Sequence, residues 1–123
     1  MKVLVVDDDA VNRLILKKIF EKENHTVVTA KNGQEAMDIL DDETDFSVVI
    51  TDIMMPEMDG IELLAEIKLK RETSRIPIIG FTAGNLEYYK RISTVAFDRL
   101  LAKPMNYDDL YHIAREHASL YLD

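Results

Sequence analysis

Cysteine is missing from this 123-residue chain, and its absence excludes disulfides, thiol catalysis and cysteine zinc sites together. No apolar run approaches the roughly 18 to 20 residues that a membrane-crossing helix requires. The apolar stretch at the start, MKVLVVDDD, turns acidic too soon for a secretory signal. No membrane association is expected, and a cytoplasmic location follows by default. Basic residues are in the minority, 15 Lys and Arg against 23 Asp and Glu, for a formal net charge of -8. Such a field repels polyanions, which argues against nucleic acid as a direct partner and favours basic proteins or divalent cations. Internal repeats, low-complexity tracts and a Pro/Gly/Ser-rich linker are absent as well.

What is present is 47% hydrophobic and 31% charged residues, the balance of a soluble globular protein. A chain of this length buries roughly two-thirds of its unfolded surface in one core. Met1 stands directly before the first apolar run and Asp123 just after the last helical segment. A single domain over residues 1–123 without an effector domain is therefore expected, either as a stand-alone protein or as a piece of a longer one.

Five short β-branched or aliphatic runs punctuate the chain: Val3 to Val6, Thr26 to Thr29, Ser47 to Thr51, Pro77 to Phe81 and Leu100 to Ala102. Several are continuously apolar, as strands covered on both faces are. Segments of helical spacing lie between and after them. Val11, Leu14, Ile15, Ile19 and Phe20 are read as one helical face, and Ala36, Ile39 and Leu40 as another after Asn32-Gly33. Ile61, Leu64 and Ile67 follow the turn signal Asp59-Gly60, and Leu110, Ile113, Ala114 and His117 mark the last helix. The stretch from about Leu86 to Val95, with Tyr88, Tyr89 and Ile92, has the least regular stripe. The alternation predicts a (βα)5 unit with a parallel sheet and right-handed crossovers, placing helices on both faces.

The polar residues fall at one end of those strands. Asp7, Asp8 and Asp9 follow the first, Asp52 the third, Thr82 the fourth and Lys103 the fifth. In an open parallel sheet these ends share one edge, where ligands bind at the point of strand-order reversal. Crowded carboxylates raise one another's proton affinity unless a cation neutralises them. Mg²⁺ suits that role, because it takes oxygen ligands and is commonly held by one or two carboxylates plus a phosphate. Asp8 and Asp52 are expected as direct ligands, with Asp7 acting directly or through water and one backbone carbonyl completing the protein's share. Phosphoryl transfer needs charge positioned at the equatorial oxygens, which Lys103 and Thr82 supply. The nucleophile is then Asp52, at the end of the central strand, and its product an acyl phosphate.

With these residues in place the chain resembles a two-component response-regulator receiver domain over essentially its whole length. The matching segments are VLVVDDD at 3 to 9, NGQEAM at 32 to 37, VVITDIMMPEMDGIELL at 48 to 64, IPIIGFTA at 76 to 83 and AKP at 102 to 104. The resemblance implies a flavodoxin-like doubly wound sheet in the order 2-1-3-4-5. It implies Asp52 as phosphoacceptor, Asp7 and Asp8 as the metal-binding acidic pair and Met54 as the carbonyl ligand. It also implies Thr82 as the signalling hydroxyl and Lys103 as the phosphate-binding lysine, aimed by a cis Lys103–Pro104 peptide. Mg²⁺, with Mn²⁺ as substitute, is the implied metal. The implied partners are a histidine kinase or a histidine phosphotransfer protein, which commonly docks on the first helix near Asn12 and Arg13, and an unknown downstream protein. The protein would be a monomer that catalyses its own phosphorylation and turns over no separate substrate, hence not an enzyme in the usual sense.

Two positions depart from the family pattern. Leu100 stands where an aromatic switch residue is usual, and Ala96 where a glycine commonly follows the fourth helix, which suggests an altered or mobile helix there. Met54 and Gly84 occupy places that influence acyl-phosphate hydrolysis in relatives; a lifetime raised by the methionine and lowered by the open glycine is expected. Asp9 is assigned to a helix cap or a solvated position and Asp59-Gly60 to a turn, while Met54, Met55 and Met58 pack over the cleft. His25, His112 and His117 lack metal spacing. Tyr107, Tyr111 and Tyr121 either anchor the last helix or mark a docking surface.

Three other functions fit the sequence less well. An aspartyl-phosphate phosphohydrolase wants a second Asp where Met54 stands. A flavodoxin-like cofactor binder wants a Ser/Thr/Gly-rich phosphate loop where DDDAVN stands. A degenerate, phosphate-independent receiver is disfavoured by the complete set Asp7, Asp8, Asp52, Thr82 and Lys103.

Overall fold

The computed structural model describes residues 1–92, 96–103 and 106–122. Five strands alternate with five helices: β1 Lys2–Val6, α1 Ala10–Lys22, β2 Thr26–Ala30, α2 Gly33–Asp42, β3 Val48–Asp52, α3 Gly60–Leu69, β4 Ile78–Thr82, α4 Leu86–Ile92, β5 Arg99–Ala102 and α5 Tyr107–Leu122. All strands are parallel and their order is β2-β1-β3-β4-β5. The (βα)5 doubly wound architecture expected from the alternation is thus present. β3 and β4 are buried throughout, whereas the edge strands β2 and β5 are only partly covered. This explains the unbroken apolar runs in the centre and the threonines and Arg99 at the margins.

Period-two alternation divides the core between the two faces of the sheet. Val3 and Val5 point toward α1 and α5, where they join Leu16, Phe20, Val48, Ile50, Phe81, Leu110 and Ala114. Leu4 and Val6 point toward α2 and α3, among Met37, Leu40, Val49, Leu64, Ile67 and Ile78. Each large apolar side chain fully buried in this way contributes about 1.5–3 kcal/mol. No α4 residue is buried, so that helix is the least anchored of the five.

Two expectations are corrected. The spacing places Val11, Leu14, Ile15, Ile19 and Phe20 on one face of the first helix, but its buried residues are Leu16 and Phe20, while Val11 is 63% and Leu14 52% exposed. Apolar residues occur around most of this helix, so periodicity alone does not set its rotation. Polar contacts do: Arg13 Nη1 donates to the Asp7 carbonyl at 2.8 Å, and the Tyr107 hydroxyl donates to Asn12 Oδ1 at 3.3 Å. The second correction concerns register. Asp52 and Thr82 do not follow their strands but close them, paired with Phe81 and Ala102 respectively.

Caps fix where the helices begin. Asp9 accepts from the Val11 amide at 2.8 Å, Asn32 from Glu35 at 2.7 Å and Asp59 from Glu62 at 2.8 Å, each with extended backbone at the capping residue. Tyr107 and Tyr111 anchor α5, the latter packing its ring 5.3 Å from Phe20 and bonding His25 Nε2 at 3.0 Å through its hydroxyl. The Tyr121 side chain lies outside the described residues, and so does the Lys103–Pro104 peptide. Among the described residues no helix is long and apolar enough to cross a membrane.

Candidate functional site

Asp7 and Asp52 meet at the carboxyl edge of the sheet because β1 and β3 are hydrogen-bonded neighbours ending at the same level. The Asp7 amide extends the ladder by donating to the Ala30 carbonyl at 3.1 Å, which holds its side chain over the strand ends. Asp7 is fully buried and Asp52 is 6% exposed, whereas Asp8 faces solvent. One carboxylate oxygen from each of Asp7, Asp8 and Asp52 lies within 4.8 Å of the others, the one such acidic or histidine cluster among the described residues.

The hydrogen bonding of this cluster is incomplete. Asp7 Oδ1 accepts from the Asp9 amide at 2.9 Å, but Asp7 Oδ2 is buried with no hydrogen-bond partner among the described residues. Asp52 Oδ1 accepts from the Met54 amide at 3.2 Å, and Oδ2 from Lys103 Nζ at 3.1 Å. Lys103 also lies 4.9 Å from the centre of the Phe81 ring, which limits the directions its amine can take. Burial, followed by the charge of Asp52, pushes the Asp7 carboxyl up from 3.8 to about 6, while the Asp9 amide and the Lys103 charge pull the other way. A buried oxygen without a donor, beside two further carboxylates, is a donor set that fits a hard divalent cation.

Thr82 is buried at the end of β4, and its Oγ1 accepts from the Gly84 amide at 3.0 Å. Lys103 is tied to the same strand end, its amide donating to the Thr82 carbonyl at 2.8 Å. All the predicted site residues, Asp7, Asp8, Asp52, Thr82 and Lys103, therefore gather at the strand ends. Met54 joins them through its backbone, while its side chain is 58% exposed; Met55 is buried and Met58 partly so.

Two glycines set the shape of the cleft through size alone, since no glycine has positive φ. A Cβ on Gly60 would lie 2.5 Å from the Asp52 carbonyl oxygen and 2.7 Å from Ile53 Cα. α3 can press against the backbone of Asp52 only because that atom is missing, and the Gly60 amide bonds the Ile53 carbonyl at 2.8 Å. Asp59-Gly60 is thus structural, as its turn signal suggested.

Gly84 is the second case, and it corrects an expectation. Its side-chain space is not open: a Cβ there would lie 2.9 Å from Tyr89 Cε2, 3.2 Å from the Tyr89 hydroxyl and 3.3 Å from Thr82 Oγ1. Tyr89 thus brings an aromatic ring from α4 to the rim of the site. The sequence reading missed this; an unconstrained glycine five residues before an aromatic was the available signal. At the departures from the family pattern, Leu100 is half-buried with its Cδ1 near Gly80, where Phe97 also packs, and Ala96 is exposed.

Comparison with known proteins identifies the class. A family model for the response regulator receiver domain matches residues 3–115, and the chain belongs to that family. It is 37% identical over 120 residues to the transcriptional regulatory protein CpxR of Escherichia coli K12, covering 97% of this chain and 49% of that protein. The chain thus spans about half the length of that relative. It is 32% identical to the sporulation initiation phosphotransferase F of Bacillus subtilis, covering 97% of this chain and 94% of that one. Among solved structures, a response regulator receiver domain protein from Clostridium thermocellum superposes with a TM-score of 0.85 at 28% identity, covering 96% and 94% of the two chains. The TrrA response regulator of Thermotoga maritima, solved with Mg²⁺ and BeF, gives 0.82 at 33% identity, covering 94% and 97%. The chain is a receiver domain of the two-component signalling type.

Proposed function

We propose that this receiver accepts a phosphoryl group on Asp52 from a phosphohistidine donor in a Mg²⁺-dependent reaction. The observation that carries the proposal is the buried, unpartnered Asp7 Oδ2 within an acidic cluster whose other buried member, Asp52, is contacted by Lys103. Asp7, Asp8 and Asp52, with the Met54 carbonyl, would hold the ion; when bound it neutralises the carboxylates and the incoming phosphoryl oxygens. An Asp52 carboxylate oxygen attacks phosphorus as the bond to the donor's imidazole nitrogen breaks, and that nitrogen leaves with the electron pair. Lys103 moves from the Asp52 carboxylate to an equatorial phosphoryl oxygen, and Thr82 turns its hydroxyl from the Gly84 amide toward another.

The acceptor is a residue of the protein itself, so the chain acts on itself and turns over no separate substrate. The donor would be a histidine kinase or a histidine phosphotransfer protein, and a second protein would read the phosphorylated state. The names of two relatives, a phosphotransferase and a transcriptional regulatory protein, support such a relay role. A monomeric free state and action in the cytoplasm, without direct nucleic acid or membrane contact, belong to the same reading.

Intact-mass measurement after incubation with acetyl phosphate or phosphoramidate tests it. One phosphate is expected on the wild type with Mg²⁺, none in EDTA and none on Asp52→Ala. Equal phosphorylation of Asp52→Ala would overturn the assignment.

A further inference from the structure

We infer that Tyr89 acts as a hydrolysis shield, its ring supplying from α4 the bulk that Gly84 lacks and so setting the lifetime of phosphorylated Asp52. The inference rests on the phosphoacceptor reading above and adds a positioning residue to it.

Gly84 lies two residues beyond Thr82, and its amide donates to Thr82 Oγ1 at 3.0 Å. The volume in front of it is filled by Tyr89 Cε2 and the Tyr89 hydroxyl, with Thr82 Oγ1 on the same volume's border. Glycine here is explained by that close approach and not by backbone conformation, because its φ is not positive. Tyr89 also lines a cavity of about 410 Å³ with Ile53, Met54, Met55, Pro56 and Asp59, all five of them from the β3–α3 loop. The ring therefore borders both this groove, whose Ile53 and Met54 directly follow Asp52 in the chain, and the end of β4 at Gly84. Few other contacts hold α4, none of whose residues is buried.

Loss of the phosphoryl group requires water at phosphorus. The water oxygen forms a bond to phosphorus as the P–O bond to Asp52 breaks; Asp52 leaves as a carboxylate with the electron pair, and a water proton passes to the phosphate released or to solvent. Neither Met54 nor Gly84 has a side-chain group that could orient this water. Its access is then controlled by bulk, and the aromatic wall at Tyr89 narrows the approach. Removing the ring joins the groove to the Thr82 side of the cleft and admits water there.

The test is the decay of phosphate on protein already loaded with acetyl phosphate and Mg²⁺ and then freed of donor, followed by intact mass. The expected result is a half-life shortened about tenfold in Tyr89→Ala, a change of about 1.4 kcal/mol in the barrier, with Tyr89→Phe close to wild type. Tyr89→Leu should lie between them and serves if the alanine variant does not fold. Ile92→Ala, an exposed α4 position, should decay as wild type does. An unchanged half-life in Tyr89→Ala overturns the inference, as does a Phe variant as short-lived as Ala, or an Ile92→Ala variant equally fast. Absence of phosphate on the wild type removes the phosphoacceptor reading itself, which separates the two failures.

Discussion

Replacing Asp7 by asparagine should stabilise the metal-free protein while abolishing its response to Mg²⁺. Burial and the neighbouring Asp52 raise the Asp7 carboxyl from 3.8 to about 6. A carboxyl with a raised folded-state pKa binds more protons folded than unfolded between those values, so its contribution to stability falls as pH rises through that window. Each pKa unit corresponds to about 1.4 kcal/mol, so at neutral pH the charged form costs about 3 kcal/mol. Asparagine removes that charge and keeps an Oδ1 acceptor for the Asp9 amide. For a domain of this size each kcal/mol moves Tm by about 3–6 °C, so Asp7→Asn should melt about 9–18 °C above wild type in EDTA at pH 7.5. The gap should close near pH 4, where Asp7 is protonated in the folded protein. Millimolar Mg²⁺ should raise the wild-type Tm and leave the variant unmoved. A variant melting at or below wild type in EDTA at neutral pH refutes the reasoning.

Leu16→Ala should cost about 2–5 kcal/mol in urea denaturation, whereas Val11→Ala should stay within about 0.5 kcal/mol; equal costs would mean that the rotation assigned to α1 is wrong. Gly60→Ala should cost about 3 kcal/mol, the upper end of the overpacking range, because its methyl meets the backbone of Asp52 and Ile53. Phosphorylation of this variant should slow as Asp52 is displaced, which initial rates with phosphoramidate would show. Lys2→Ala should lose less than about 1 kcal/mol despite its ion pairs with Glu43 and Asp45, since both acids are largely exposed.

The parallel sheet could be read from the sequence because strands covered on both faces leave continuous apolar runs, as in VLVV, VVIT and IIGFT. The site followed from the sheet, since Asp7, Asp52, Thr82 and Lys103 each stand at a strand's carboxyl end. What escaped detection depended on rotation and on filling of space. Val11 and Leu14 carry the same hydrophobic signal as Leu16, and only the contacts of Asn12 and Arg13 show which side of α1 turns inward. Gly84 looked like open space because a missing side chain says nothing of the neighbour that replaces it. The Asp7 oxygen that finds no donor among the described residues likewise emerges only once the strand ends are brought together.

Reduction with borohydride converts an aspartyl phosphate to homoserine, so peptide sequencing by mass spectrometry can locate the modified carboxyl after loading with Mg²⁺ and acetyl phosphate. Homoserine at position 52 alone is the predicted result. Homoserine at position 7 or 8 instead, or an acid-stable phosphate on Thr82, would contradict the account.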